Sequence, residues 1–151
     1  MTVLRELFKR YKIEEVVEFG MGLFSTPFFL ERCNEVLSVE MQSEKWYNLI
    51  YSKYGDRTSW HPVKFIHPYH AIDWMQEAKF DLCFVDGHIN SRPECINLAC
   101  APIIVAHDTE CQAYGWQRVS LPEGYKEIKH TKQTPHTTVW IDEGKVKGGI
   151  L

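Results

Sequence analysis

The stretch Val16-Val17-Glu18-Phe19-Gly20-Met21-Gly22-Leu23-Phe24-Ser25-Thr26 decides how the chain is read. An apolar run broken by one acid, Val16 to Phe19, enters a Gly-x-Gly turn at Gly20 and Gly22. Ser25 and Thr26 then offer a helix N-cap, and Pro27 suits a first helical turn. A strand that breaks at glycines and resumes as a helix lets backbone approach a nucleotide in an α/β sheet. Glu40, twenty residues after Gly20, closes a second strand-like run, Val36-Leu37-Ser38-Val39. A carboxylate there can accept both hydroxyls of a ribose. The pair points to an adenosine-containing ligand.

Outward from this stretch the chain alternates strand and helix. Val3 to Tyr11 reads as an amphipathic helix and Glu14 to Phe19 as the first strand. Thr26 to Arg32 follows as a helix, Glu35 to Val39 as the second strand, and Ser43 to Tyr51 as a helix with Trp46, Tyr47, Leu49 and Ile50 on its apolar stripe. Val63 to His67 is expected as a third strand entered through Pro62, then Ala71 to Ala78 as a helix. Phe80 to Val85 is almost wholly apolar, as a strand buried on both faces must be. Pro93 to Ala99 reads as a helix and Ile103 to Ala106 as the fifth strand. The repeated β-α unit calls for a parallel sheet with right-handed crossovers. The ending breaks the rhythm: Tyr125 to Thr131 and Thr137 to Ile141 both alternate apolar and polar, and form a β-hairpin.

Composition narrows the class. The 151 residues suit one domain, 1–151, with a real core. A 44% hydrophobic and 25% charged share is that of a globular protein. The net charge of −3 gives no bulk attraction to nucleic acid or anionic membrane. No apolar stretch approaches a membrane span, and Met1 to Tyr11 is too charged for a signal peptide. Five cysteines (Cys33, Cys83, Cys95, Cys100, Cys111) without a CxxC pair fit reduced thiols in a cytoplasmic protein. The short Cys/His spacing of a zinc site is absent. A homo-oligomer is compatible with the sequence.

The ordered set of a glycine turn after the first strand, an acid closing the second, FDLCFVDGH at the fourth, IIVAHD at the fifth and a terminal hairpin resembles a class I S-adenosylmethionine-dependent methyltransferase. The likeness runs from Glu14 to Asp142, and VDGH followed by AHD is similar to small-molecule O-methyltransferases. The resemblance implies a Rossmann-like α/β fold whose mostly parallel seven-stranded sheet has the order 3-2-1-4-5-7-6, strand seven antiparallel in a C-terminal hairpin. It implies S-adenosylmethionine as cofactor and a small-molecule acceptor methylated at oxygen.

On that footing Gly20 and Gly22 let backbone amides face the methionine part of the cofactor. Glu18 holds its ammonium group directly or through water, Glu40 its ribose, and Met41 packs on adenine. His67 and Tyr69, after the third strand, lie where the family contacts adenine. The cofactor-facing set thus comprises Glu18, Phe19, Gly20, Met21, Gly22, Ser25, Thr26, Glu40, Met41, His67, Tyr69, Asp86 and Gly87. Asp86, Gly87 and His88 end the fourth strand beside the switch point of the sheet, where ligands of open α/β sheets bind. His88, with Asp86, is the candidate catalytic pair, the imidazole taking a proton from a hydroxyl as the methyl moves. Arg92, His107 and Asp108 are expected on the substrate side. Asp86 and Asp108 together could hold Mg²⁺ or another divalent cation, although metal-dependent relatives carry an acidic or amide pair where this chain has His-Asp. Two other readings share the glycine turn. One is an NAD-binding oxidoreductase, against which the third fingerprint glycine would fall at Ser25. The other is a non-catalytic adenosyl-binding or assembly module on the same fold.

Overall fold

Alternation along the strands splits the core into two layers. In a computed structural model describing residues 2–64, 79–88, 90–99 and 101–148, β1 (Glu15–Phe19) sends Val16 to one face and Val17 and Phe19 to the other. The same period of two sorts Leu82 and Phe84 from Cys83 and Val85 in β4 (Leu82–Val85). It sorts Ile103 and Val105 from Ile104 and Ala106 in β5 (Ile103–His107). Both faces are buried, which is why these strands read as nearly continuous apolar runs.

The first face is covered by α1 (Thr2–Arg10), through Leu4 and Leu7, by α2 (Ser25–Leu30), through Phe28 and Phe29, and by Ile50 of α3 (Glu44–Tyr54). The second is covered by Cys95 and Ile96 of α4 (Arg92–Leu98), with Trp116, Val119 and Leu121 of the following loop. Burial pushes the Cys33 and Cys95 thiols up to about 12, so neither is a nucleophile near neutral pH.

With β2 (Glu35–Glu40), β3 (Trp60–Lys64), β6 (Tyr125–His130) and β7 (Thr137–Asp142), the sheet has seven strands in the order β3-β2-β1-β4-β5-β7-β6. The pairs from β3 across to β5 are parallel, and β7 runs antiparallel to both β5 and β6. This is the order and the antiparallel ending that the resemblance implied.

Two elements differ from the sequence reading. The third strand starts at Trp60, not Val63, so Pro62 lies within it, opposite Ser38. Among the described strands β3 pairs only with β2, and at such an edge the missing proline N–H leaves no ladder bond unmade. The buried Trp60 ring anchors this earlier start by donating its Nε1–H to Ser38 Oγ at 2.9 Å. At α2 the N-cap position is Phe24, with no side-chain cap bond; Ser25 and Thr26 are already helical. The expected helix Ala71 to Ala78, and His67 and Tyr69, lie outside the described residues.

Candidate functional site

The ends of β1 and β4 meet through bare backbone. Gly20 has φ +94°, and a Cβ there would stand 2.5 Å from Gly87 Cα and 2.6 Å from the Asp86 carbonyl. A Cβ on Gly87 would in turn stand 3.2 Å from Gly20 N. The approach is fastened by Asp86 N–H donating to Phe19 O, and Gly20 N–H ties the same turn to β2 by donating to Val39 O, each at 2.8 Å. Gly20 is therefore required first by the packing of two strand ends, and only then by any ligand. At Gly22 an added Cβ would meet only the Ser25 hydroxyl, at 2.6 Å.

Behind the turn runs a buried polar chain. Gly22 N–H donates to Thr26 Oγ1 at 3.0 Å, and the Thr26 hydroxyl donates to Glu18 Oε2 at 2.7 Å. Ser38 donates to the same oxygen at 2.8 Å. Glu18 is wholly buried, and its Oε1 has no partner among the described residues. Desolvation pushes its carboxyl up to about 7, against the lowering by the hydroxyls of Ser25, Thr26 and Ser38. Glu18 is thus neither an edge-exposed acid nor part of the cavity wall described next. It positions the glycine turn through Thr26.

In front of the turn lies a cavity of about 540 Å³, walled by Gly20 to Phe24 on one side and by Glu40, Gln42, Ser43 and Trp46 on another, with Asp86 and Gly87 closing it. Glu40 is 3% exposed. Its Oε1 accepts the N–H groups of Gln42 and Ser43 at 2.8 and 3.0 Å, while Oε2 accepts none among the described residues. The acid is oriented by one oxygen and leaves the other for a ligand. Met21 lines the cavity, and its carbonyl accepts the Trp46 indole N–H at 2.6 Å. Phe19 and Met41 pack instead into the second-face core. Trp46, read from sequence only as part of an apolar stripe, is a wall of the site; its indole N–H was the signal that such a ring seeks a polar partner.

A smaller cavity of about 180 Å³ adjoins the first and shares Gly22, Leu23, Phe24 and Asp86 with it. Val3 and Leu4 of α1, Ser25, Phe84, Val105, His107 and Thr137 complete it. Thr137 enters because β7 pairs it with His107, a register that spacing alone does not reveal. His88 lines neither cavity. Its Nδ1 accepts the Asn90 N–H at 3.3 Å in the turn leading to α4.

Arg92 ties the ends of β4 and β5 together. It is 4% exposed, not solvated at a helix start. Its Nε donates to Gly87 O at 3.0 Å and its Nη1 to His107 O at 2.7 Å. Nη2 lies 3.1 Å from Asp86 Oδ1, Nη1 lies 3.5 Å from Asp108 Oδ2, and the guanidinium sits 4.2 Å from the centre of the Tyr114 ring. Asp108 takes φ +57°, a left-handed conformation rare outside glycine, which folds its carboxylate back beside His107. His107 Nδ1 is 3.2 Å from Asp108 Oδ1 and 3.6 Å from Asp86 Oδ1. The Asp86 carboxylate facing the ring, with the charge of Asp108, holds its pKa above the ordinary 6.5 against desolvation.

An adenosyl amino acid fits: one wall is bare backbone, the other carries a pre-oriented carboxylate oxygen, and the cavity between them is open. A divalent cation does not fit, contrary to the expectation for Asp86 and Asp108. Asp86, His107 and Asp108 offer ligand atoms within 4.8 Å of one another. The buried Arg92 guanidinium already faces both carboxylates, however, and would repel a second cation at the same oxygens.

No protein-family profile matches the chain, and a search of curated proteins finds no match. Solved structures do match. A candidate O-methyltransferase from Klebsiella pneumoniae superposes with TM-score 0.69 at 14% identity, over 93% of this chain and 77% of that one. The S-adenosylhomocysteine-bound methyltransferase PaMTH1 of Podospora anserina gives 0.61 at 13% identity, over 85% and 71%. An rRNA methylase from Streptococcus thermophilus gives 0.62 at 12% identity, over 93% of both chains. With the strand order and the antiparallel β7, these likenesses establish that the chain has the fold of class I S-adenosylmethionine-dependent methyltransferases.

Proposed function

We propose that the chain transfers a methyl group from S-adenosylmethionine to a hydroxyl of a small molecule. The observation that carries this reading is the junction of two cavities at Asp86 and Gly22 to Phe24, one walled for an adenosyl amino acid and the other mostly apolar. When bound, the cofactor supplies a methyl already activated on a sulfonium. The chain's own work is then aim, exclusion of water and proton removal.

The glycine turn, fixed from behind by Thr26 and Glu18, presents backbone to the amino-acid part. Glu40 takes the ribose hydroxyls with its unengaged oxygen, and Met21 and Trp46 flank the same cavity. On the acceptor side His107, which lines the smaller cavity where His88 does not, takes the proton. With Nδ1–H turned to Asp108 and Asp86, the lone pair is on Nε2. With cofactor and acceptor bound, the two cavities would aim the acceptor oxygen at the activated methyl, and the hydroxyl proton would pass to His107 Nε2. The acids then stabilise the imidazolium.

Calorimetry with S-adenosylhomocysteine and NAD⁺, followed by a screen of hydroxylated small molecules for S-adenosylhomocysteine release, tests the reading. Binding of the adenosyl ligand alone, with turnover on at least one hydroxyl, is expected. NAD⁺ binding in its place would contradict it, and binding without turnover on any acceptor class would favour a non-catalytic module.

A further inference from the structure

A third cavity opens from the acceptor pocket, and its lining carries only positive charge. It measures about 590 Å³ and lies between the start of α1 and the loop joining β6 to β7. It meets the acceptor pocket at Val3, His107 and Thr137, which line both. His130 and Lys132 line its outer part, and no carboxylate does. The first turn of α1 adds no acidic side chain. Lys129, next to His130 on β6, turns its ammonium to the other sheet face, where it pairs with Glu127 at 3.2 Å, while Lys132 has no ion-pair partner among the described residues. In a chain of net charge −3, the Lys132 ammonium at the mouth of a pocket without acids makes a local field opposite in sign to the whole.

The inner pocket limits what reaches the methyl. A cavity of roughly 150 Å³ lined by apolar side chains suffices for a benzene-sized molecule. The acceptor pocket, at about 180 Å³ and walled by Leu4, Leu23, Phe24, Phe84 and Val105, has room for one ring or a short branched chain. Its polar end is the His107 and Asp86 pair.

Resting on the methyl-transfer reading above, we infer that the acceptor is a small hydroxy acid. Its compact apolar part, bearing the hydroxyl, enters beside His107. Its carboxylate or phosphate remains outside, in the cleft of His130 and Lys132. A long polyanion is disfavoured by the overall negative charge.

The test is a titration of the protein, with and without S-adenosylhomocysteine, by inorganic phosphate, following the imidazole NMR signals of His130 and His107. A saturable shift of these signals is expected, weakened at least tenfold in the variant Lys132→Glu, with S-adenosylhomocysteine affinity within twofold of wild type. The probes 4-hydroxyphenylacetate and 4-hydroxyphenyl phosphate then tell carboxylate from phosphate, each against neutral 4-hydroxyphenylacetamide; either acid binding at least tenfold more tightly than the amide supports the inference. No saturable shift, or an equal one in the variant, overturns it. A 12-nucleotide RNA binding the cleft a hundredfold more tightly than phosphate would also overturn it, in favour of a nucleic-acid acceptor. Phosphate binding without S-adenosylhomocysteine binding would leave the anion cleft standing and remove the methyl-transfer reading.

Discussion

Gly20 and Gly87 face each other with no room for a side chain: a Cβ on Gly20 would lie 2.5 Å from Gly87 Cα. The floor of the candidate cofactor cavity is thus two strand ends in backbone contact. Gly20→Ala must both hold a side chain at φ +94° and push this contact apart. It is expected to cost ~2–5 kcal/mol of stability. At Gly22 only the Ser25 hydroxyl obstructs, and its rotation should keep the loss for Gly22→Ala under about 1.5 kcal/mol. Denaturant midpoints of the two variants check this order, and equal losses would contradict it.

Glu18 makes stability depend on pH. Its carboxyl titrates at about 7 in the folded chain and at 4.5 in the reference state, so the folded state holds the proton more tightly. The stabilisation from that proton is complete below pH 4.5 and is lost as pH rises to about 7. The loss is about 3 kcal/mol by the conversion of one unit to 1.36 kcal/mol. Glu18→Gln removes this titration, so the stability difference between variant and wild type should shift in the variant's favour between pH 5 and pH 8. Measured by urea unfolding, a difference that does not change with pH would contradict the buried, protonating acid.

Arg92 is expected to be structural before it is anything else. Arg92→Met leaves the Asp86 and Asp108 carboxylates facing each other's charge and two carbonyls without their donor. Since both acids are about one-third exposed, the loss should be nearer ~2–3 kcal/mol than that of a fully buried pair. Neutralising the acids as well, in Asp86→Asn/Asp108→Asn/Arg92→Met, should recover part of it. A triple variant less stable than Arg92→Met would contradict the charge argument. Since the cluster does not fit a divalent cation, EDTA should leave methyl transfer unchanged.

His107 predicts the pH profile of turnover. It accepts a proton only when neutral, so kcat should rise with pH through an apparent pKa above 6.5. Asp86→Asn removes the largest cause of the shift and should move that midpoint down. His107→Ala should lower kcat by ~10²-fold or more with cofactor affinity nearly intact. His88→Ala, outside both cavities, should retain turnover. The reverse outcome for the two histidines would return the base to His88.

The framework of the fold was legible because burial on both sheet faces leaves a strong pattern. Val16 to Phe19, Leu82 to Val85 and Ile103 to Ala106 could hardly be anything but central strands. β3 was misplaced because Pro62 reads as a strand start, when an edge strand can carry it inside. Gly20, Gly22 and Glu40, which wall the larger cavity, were legible for a related reason: they lie at chain breaks that local rules recognise. The smaller cavity was not legible. Nothing local shows that Arg92 is buried between two strand ends, that Thr137 pairs with His107, or that the left-handed turn at Asp108 brings its acid back to the imidazole. These are consequences of strand order and register, which place residues far apart in sequence side by side. The sequence shows Glu18 as an acid near a turn but not the Thr26 hydroxyl standing between them.

The most direct test of the central claim is a calorimetric titration of wild type and Glu40→Ala with S-adenosylhomocysteine. The account predicts one site in the wild type and a loss of ~1–3 kcal/mol in the variant, as two ribose hydroxyls lose their acceptor. An unchanged dissociation constant in Glu40→Ala, or no binding to the wild type, would contradict it.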